Sequence, residues 1–171
     1  MTTLTSIIIA VIIYTAYNAV SLRIFDIPKS LSMTYYLYED KYGIGFVFMV
    51  MMYAVVAFMM PAWITMSEGS NWQFLAFLAP TAIAFVGTAP AFRSCSLENA
   101  VHQVSAYLAA AFSLAWVCLV TPFWWTIPLW VGFVAIAAIF TSSYKASYIY
   151  WLETVAFGAT FTSTIFYSLI R

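Results

Sequence analysis

Long uninterrupted apolar runs most restrict what this chain can fold into. Residues 7–14, 46–60 and 131–140 show no alternation of apolar and polar side chains, whereas the strands of a membrane β-barrel alternate over about ten residues. Hydrocarbon offers the backbone no water, so a segment that crosses it must satisfy its hydrogen bonds internally, as an α-helix does. The runs therefore predict an all-α integral membrane protein.

The composition agrees with this prediction. Hydrophobic residues make up 65% of the 171 residues and charged residues only 7%, whereas about a quarter of a typical soluble domain is charged. A water-soluble fold of this length cannot bury so much apolar surface, so the surplus is expected to face lipid. The six basic and six acidic residues cancel and form no basic cluster, so a nucleic-acid partner is not expected.

Six apolar segments are long enough to be membrane spans. The predicted helices cover residues 4–22, 43–63, 72–92, 99–120, 123–141 and 148–170, and a polar, interfacial stretch covers residues 23–42. Each segment is near the roughly 20 residues that a spanning helix needs. We therefore predict one transmembrane domain over residues 1–171, a polytopic helical bundle with about six spans.

The basic residues indicate how these spans are oriented. The first, third and fifth loops contain Arg23, Lys29, Lys41, Arg93 and Lys145, and the second and fourth loops contain no basic residue. Because an excess of Lys and Arg marks the cytoplasmic side, the odd-numbered loops are predicted to be cytoplasmic. Six spans then place both termini outside the cytoplasm, in a multi-pass protein of the cell membrane.

Glu153 is the most informative single residue. It follows Lys145 by eight positions, which places it about 8–12 Å below the loop on a helix. Charged groups at such depth usually face the bundle interior or water, so the functional interpretation is a carboxylate that binds a ligand or an ion. The structural interpretation is a polar contact with Lys145, Arg93 or His102 that only holds the helices together.

Glu98 and His102 form a second candidate pair. They are four positions apart, hence on one face of the fourth segment, and that face continues through Ser105. In the functional interpretation Glu98 orients the imidazole, whose other nitrogen then serves a ligand or a proton. In the structural interpretation Glu98 only favours the start of the helix. Asn18 lies on a similar polar stripe of the first segment.

Together these residues predict a polar cavity that opens toward the cytoplasm. Segments one, three, four and six are its expected walls, because each carries a stripe of small or polar residues. The predicted ligand-binding or ion-binding residues are Glu98, His102, Glu153, Asn18, Ser105, Arg93 and Lys145. Apolar residues and Trp116 are expected to close the outer half. The chain has one histidine, too few for a typical catalytic zinc site, and no metal or cofactor is predicted.

Three short motifs resemble the Frag1-like group of small six-helix bacterial membrane proteins. They are Pro28-Lys29-Ser30-Leu31-Ser32, Gly87-Thr88-Ala89-Pro90, and Glu98 followed by His102-x-x-x-Ala106. The resemblance covers less than half of the chain. It implies a six-helix bundle with an inner mouth lined by serine and histidine, located in a bacterial inner membrane, and it implies no particular activity. The ceramidase-like transmembrane hydrolases use several histidines and an aspartate around zinc, a pattern that this chain lacks.

Binding or passage of a small solute, an ion or a proton is the leading functional hypothesis. Pro80 and Pro90 would interrupt the third segment, as broken helices do in many transporters. One alternative is an intramembrane lipid-modifying enzyme with His102 as the base, although the sequence favours a protein that is not an enzyme. Another is a structural or interaction subunit of a membrane complex. The predicted partners are the lipid bilayer, a small solute, ion or lipid ligand, and a second copy of the chain.

Overall fold

The chain is all-helical where the computed structural model describes it, over residues 2–88, 96–141 and 145–171. Within these ranges it forms seven helices and no strand, which confirms the all-α prediction. The helices are α1 (Thr3–Phe25), α2 (Thr34–Tyr42), α3 (Phe46–Met66), α4 (Leu75–Thr88), α5 (Ser96–Val120), α6 (Thr126–Phe140) and α7 (Tyr148–Ile170). Pro90 and the predicted site residue Arg93 lie outside the described residues.

Three of the described helices are long and apolar enough to cross a membrane. These are α1, α3 and α5, with 23, 21 and 25 residues. α4 and α6 are apolar but have 14 and 15 residues. α7 has 23 residues and contains Glu153 and a series of serines and threonines, and it is not among these three candidate spans. The structure therefore shows three candidate spans where the sequence predicts six.

Local sequence accounts for several helix ends. Thr2 caps α1 by accepting a hydrogen bond from the Thr5 N–H at 3.2 Å. Gly43 ends α2 with a φ of +68°, a conformation that glycine adopts without steric strain. α3 continues through Pro61 and past the end of the predicted segment, because its last turns bury Trp63 in the core and burial outweighs the lost backbone donor.

Five helices form a ring. The contacts between neighbours run from α1 to α3, then to α4, α5 and α7, and from α7 back to α1. α2 packs against α3, and α6 packs against α7 from outside the ring. We call the end of the ring at which α2 lies the α2 end, and the opposite end, where Trp63 lies, the Trp63 end.

The contact between α6 and α7 depends on a glycine. A Cβ atom at Gly158 would come within 2.4 Å of the Trp130 ring, so only glycine lets this indole approach α7 so closely. The Trp130 Nε1 donates a hydrogen bond to Thr162 Oγ1 at 3.0 Å. Nearer the start of α6, the hydroxyl oxygens of Thr126 and Ser163 lie 2.6 Å apart. Close packing and hydroxyl contacts together hold α6 on α7.

Gly158→Ala is expected to lower the free energy of unfolding by about 1–3 kcal/mol, the usual cost of overpacking, because the added methyl group displaces Trp130. Gly132→Ala is the matched control, since a Cβ atom there meets nothing within 4 Å and alanine favours a helix more than glycine does. Thermal unfolding of both variants in detergent measures the difference. Equal melting temperatures for the two variants would show that Trp130 does not require a glycine beneath it.

Candidate functional site

A cavity of about 70 Å³ lies inside the ring, between α3, α4, α5 and α7. A cavity of this volume is large enough for several water molecules or for a small solute. Its wall is largely apolar, and the hydroxyl and carboxyl side chains that line it are Ser32, Ser113, Glu153 and Thr160.

This cavity differs from the predicted one in its wall. The sequence predicted a polar cavity with the first segment in its wall, whereas the structure places α3 there and makes most of the lining apolar. α3 is apolar all round, so no periodicity distinguishes its inward face from its outward face. That is why the sequence could not identify α3 as a wall.

Among the predicted site residues that the structure describes, Glu153 alone lines the cavity. His102 and Ser105 are buried on α5 but lie outside the cavity wall. Their helical face reaches the cavity further along α5, at Ala109 and Ser113. The spacing thus identified an inward face of α5, and Ser113 is the polar residue of that face that belongs to the site.

The other predicted site residues that the structure describes lie outside the cavity wall. Asn18 joins α1 to α7, since its Nδ2 donates to the Tyr14 carbonyl at 3.0 Å and its Oδ1 accepts from the Tyr150 hydroxyl at 3.4 Å. Glu98 is partly buried and Lys145 is exposed, and neither lines the cavity. The predicted residues therefore do not form one cluster.

The Glu153 carboxylate reaches the cavity from the second turn of α7. Its Oε2 accepts a hydrogen bond at 2.6 Å from the backbone N–H of Leu31, 122 positions away in the chain. Within the described residues this carboxylate forms no ion pair, and no Lys, Arg or His lines the cavity. The structural interpretation expected a side-chain partner such as Lys145, but the partner observed is a backbone amide.

The residues around Leu31 form a segment, the 28–34 loop, that is irregular up to Met33, enters α2 at Thr34 and is buried at the α2 end. Its buried side chains are Pro28, Ser30, Leu31, Ser32 and Thr34. The Tyr150 N–H donates to the Lys29 carbonyl at 3.2 Å, so the start of α7 holds the loop here as well as through Glu153. Non-helical backbone inside a membrane protein requires such burial and bonding.

The polar composition of residues 23–42 predicted an interfacial stretch and did not indicate that Leu31 and Ser32 line the cavity. A signal was present in the Ser-Leu-Ser pattern, because serine hydroxyls can bond to nearby backbone groups and so make a buried loop tolerable. Ser30 Oγ accepts from the Met33 N–H at 3.2 Å and lies 3.0 Å from Ser32 Oγ.

Two stacked indoles lie at the Trp63 end. The rings of Trp63 and Trp116 are 4.6 Å apart and 6° from parallel, and both side chains are buried. The Trp63 Nε1 donates to Thr164 Oγ1 at 3.2 Å, and the Trp116 Nε1 donates to Ser67 Oγ at 2.7 Å. Because Trp63 lines the cavity, this pair forms the apolar end opposite Glu153.

A second polar group on α7 faces the cavity. The Thr160 side chain is 5% exposed, and its hydroxyl has no hydrogen-bond partner among the described residues. A buried polar group without a partner costs about 1–3 kcal/mol, so such groups usually bond to water or to a ligand. The site therefore combines one carboxylate and one available hydroxyl in an apolar cavity.

No protein-family model, curated protein or solved structure matches the chain. The resemblance to the Frag1-like group stays a prediction. In the described part of the chain, no three His, Cys, Asp or Glu side chains come together as a metal site.

Proposed function

We propose that this chain is a membrane protein with six spans that binds a small solute, an ion or a proton in its central cavity, as a carrier or as a receptor for that solute. Glu153 is the polar anchor of this site. The observation that carries the proposal is a carboxylate without an ion-pair partner among the described residues, in the wall of an apolar cavity. Intramembrane carboxylates of this kind commonly mark solute, ion or proton sites.

The proposed orientation follows from the basic loops. The α2 end holds the exposed Lys29 and Lys145, and it faces the cytoplasm if the positive-inside rule applies. The cavity lies behind the 28–34 loop at this end. In this orientation both termini are outside the cytoplasm, and the membrane is the bacterial inner membrane.

The chemistry of the site follows from its low polarity. A carboxylate removed from water is costly unless a hydrogen-bond donor, a proton or a positive charge offsets it. The Leu31 N–H supplies one donor, whereas a carboxylate has about four acceptor positions. A bound solute that donates hydrogen bonds can fill the remaining acceptor positions of the carboxylate. The site therefore favours such a solute over an anion.

Filling the cavity tests the proposal. Ala109 lines the cavity, and Ala109→Leu is expected to abolish solute binding because the larger side chain occupies the available volume. Ala111→Leu makes the same change at an exposed position of α5 and is expected to bind normally. The measurement is thermal unfolding with a panel of solutes of two or three non-hydrogen atoms. A bound solute at about ten times its dissociation constant should raise the melting temperature by roughly 3–6 °C.

A structural subunit is the second candidate. The bond from Leu31 to Glu153 favours it, because that bond gives the carboxylate a role in holding the 28–34 loop without any ligand. This candidate predicts that no solute shifts the melting temperature and that a protein partner copurifies in a fixed ratio. That pair of results would replace the proposed function. No observation among the described residues favours the lipid-modifying enzyme, since His102 lies outside the cavity wall.

A further inference from the structure

The charge in the cavity wall narrows the class of solute, and this inference rests on the proposed function. No Lys, Arg or His is among the residues that line the cavity, and Glu153 has no ion pair within the described residues. An anion would be repelled by the carboxylate, and beside a neutral solute the carboxylate would have to take up a proton to lose its charge. A cation offsets it directly.

The size and the surface of the cavity further restrict the class of solute that it can bind. The volume of about 70 Å³ admits a small organic ion. Rings from Phe48, Trp63, Phe157 and Phe161 contribute to the wall, and aromatic faces attract ammonium groups and accept methyl groups. A metal cation needs several oxygen atoms in place of its hydration shell, and this wall offers few.

We infer that the cavity binds a small organic ammonium ion, of which methylammonium is the simplest. Its N–H groups would donate to the free acceptor positions of the Glu153 carboxylate. The Thr160 hydroxyl, which has no partner among the described residues, lies seven residues further along α7, about 10 Å from Glu153 on a helix that rises 1.5 Å per residue. It therefore belongs to a more distant part of the same wall, as does the Ser113 hydroxyl on α5. The methyl group would lie against the aromatic rings.

Calorimetric titration of the full-length protein with methylammonium, methanol and sodium tests this inference. Methylammonium and methanol have similar size but different charge, and sodium carries the charge without N–H or methyl groups. We expect wild type to bind methylammonium at least about tenfold more tightly than methanol or sodium. Glu153→Gln keeps an acceptor for the Leu31 N–H and removes the charge, so it should weaken methylammonium binding by about tenfold or more. Ala111→Leu should bind as wild type does.

Thr160→Val is a second variant that keeps the side-chain shape and removes the hydroxyl. Because that hydroxyl has no partner among the described residues, its removal is expected to raise the melting temperature of the ligand-free protein. The same change should leave methylammonium binding near the wild-type level, because Thr160 lies too far along α7 to contact an ion held by Glu153. A loss of methylammonium binding in Thr160→Val as large as that in Glu153→Gln would place the ion away from Glu153 and overturn the inference.

The outcomes separate this inference from the proposed function. Equal binding of methylammonium and methanol, or equal binding by wild type and Glu153→Gln, overturns the ammonium inference. If a neutral solute binds and Ala109→Leu abolishes that binding, the solute site stands and the ligand class is wrong. If wild type binds none of the probes and no solute of the panel, both proposals fail.

Discussion

Replacing Trp63 with alanine is expected to lower the free energy of unfolding by about 3–5 kcal/mol, the usual cost of removing a buried large aromatic side chain. Trp63 is 1% exposed, stacks on Trp116 at 4.6 Å and donates to Thr164. Its removal leaves a void beside Trp116 and takes the donor from the Thr164 hydroxyl. It also joins that void to the central cavity, because Trp63 lines the cavity wall.

Trp124→Ala is the matched control, because that indole is 60% exposed. We expect it to change the free energy of unfolding by about 1 kcal/mol or less, as most exposed substitutions do. Chemical unfolding of both variants in the same detergent gives the two values. Similar losses for Trp63→Ala and Trp124→Ala would contradict the tight packing of the indole pair at the Trp63 end.

Glu153→Leu is expected to release the 28–34 loop. Leucine removes the acceptor of the Leu31 N–H, and an unsatisfied buried donor costs about 1–3 kcal/mol. If exchange of this amide follows local opening of the loop, it should become faster by about 5- to 100-fold. Hydrogen exchange of residues 28–34, followed by mass spectrometry, measures the change.

Glu153→Gln is the matched control for this prediction. Its amide oxygen can still accept from Leu31, so protection of the loop should stay near the wild-type level. The comparison separates the two roles of Glu153, since glutamine keeps the loop bond and loses the charge that we assign to solute binding. Unchanged protection in Glu153→Leu would show that the bond to Leu31 does not hold the loop.

The helical class of the protein follows from the sequence because it depends on local properties. A continuous apolar run such as that in α3 fixes both the environment and the backbone hydrogen bonding of its own residues, with no reference to the rest of the chain. The length of α7 and its content of polar residues likewise depend only on the sequence of that segment. Which of these helices face one another depends on packing between distant segments.

The candidate site depends on such distant contacts. The spacing of Glu98 and His102 placed them on one face of α5, but spacing along a helix does not say how far along it the cavity lies. Glu153 was identified because a charge deep in an apolar segment is unusual in itself. Its partner, the Leu31 N–H, is a backbone group in a segment 122 positions away, and no side-chain pattern marks a backbone donor.

We propose that the Glu153 carboxylate contacts the bound solute in the cavity. Infrared difference spectroscopy of membranes perfused with and without methylammonium tests it most directly, because a carboxylate that gains a charged partner changes its stretching frequency. We predict a glutamate carboxylate band in the difference spectra of wild type and Ala111→Leu that disappears in Glu153→Gln and Ala109→Leu. The same band in Glu153→Gln, or no carboxylate band in wild type, would contradict the claim.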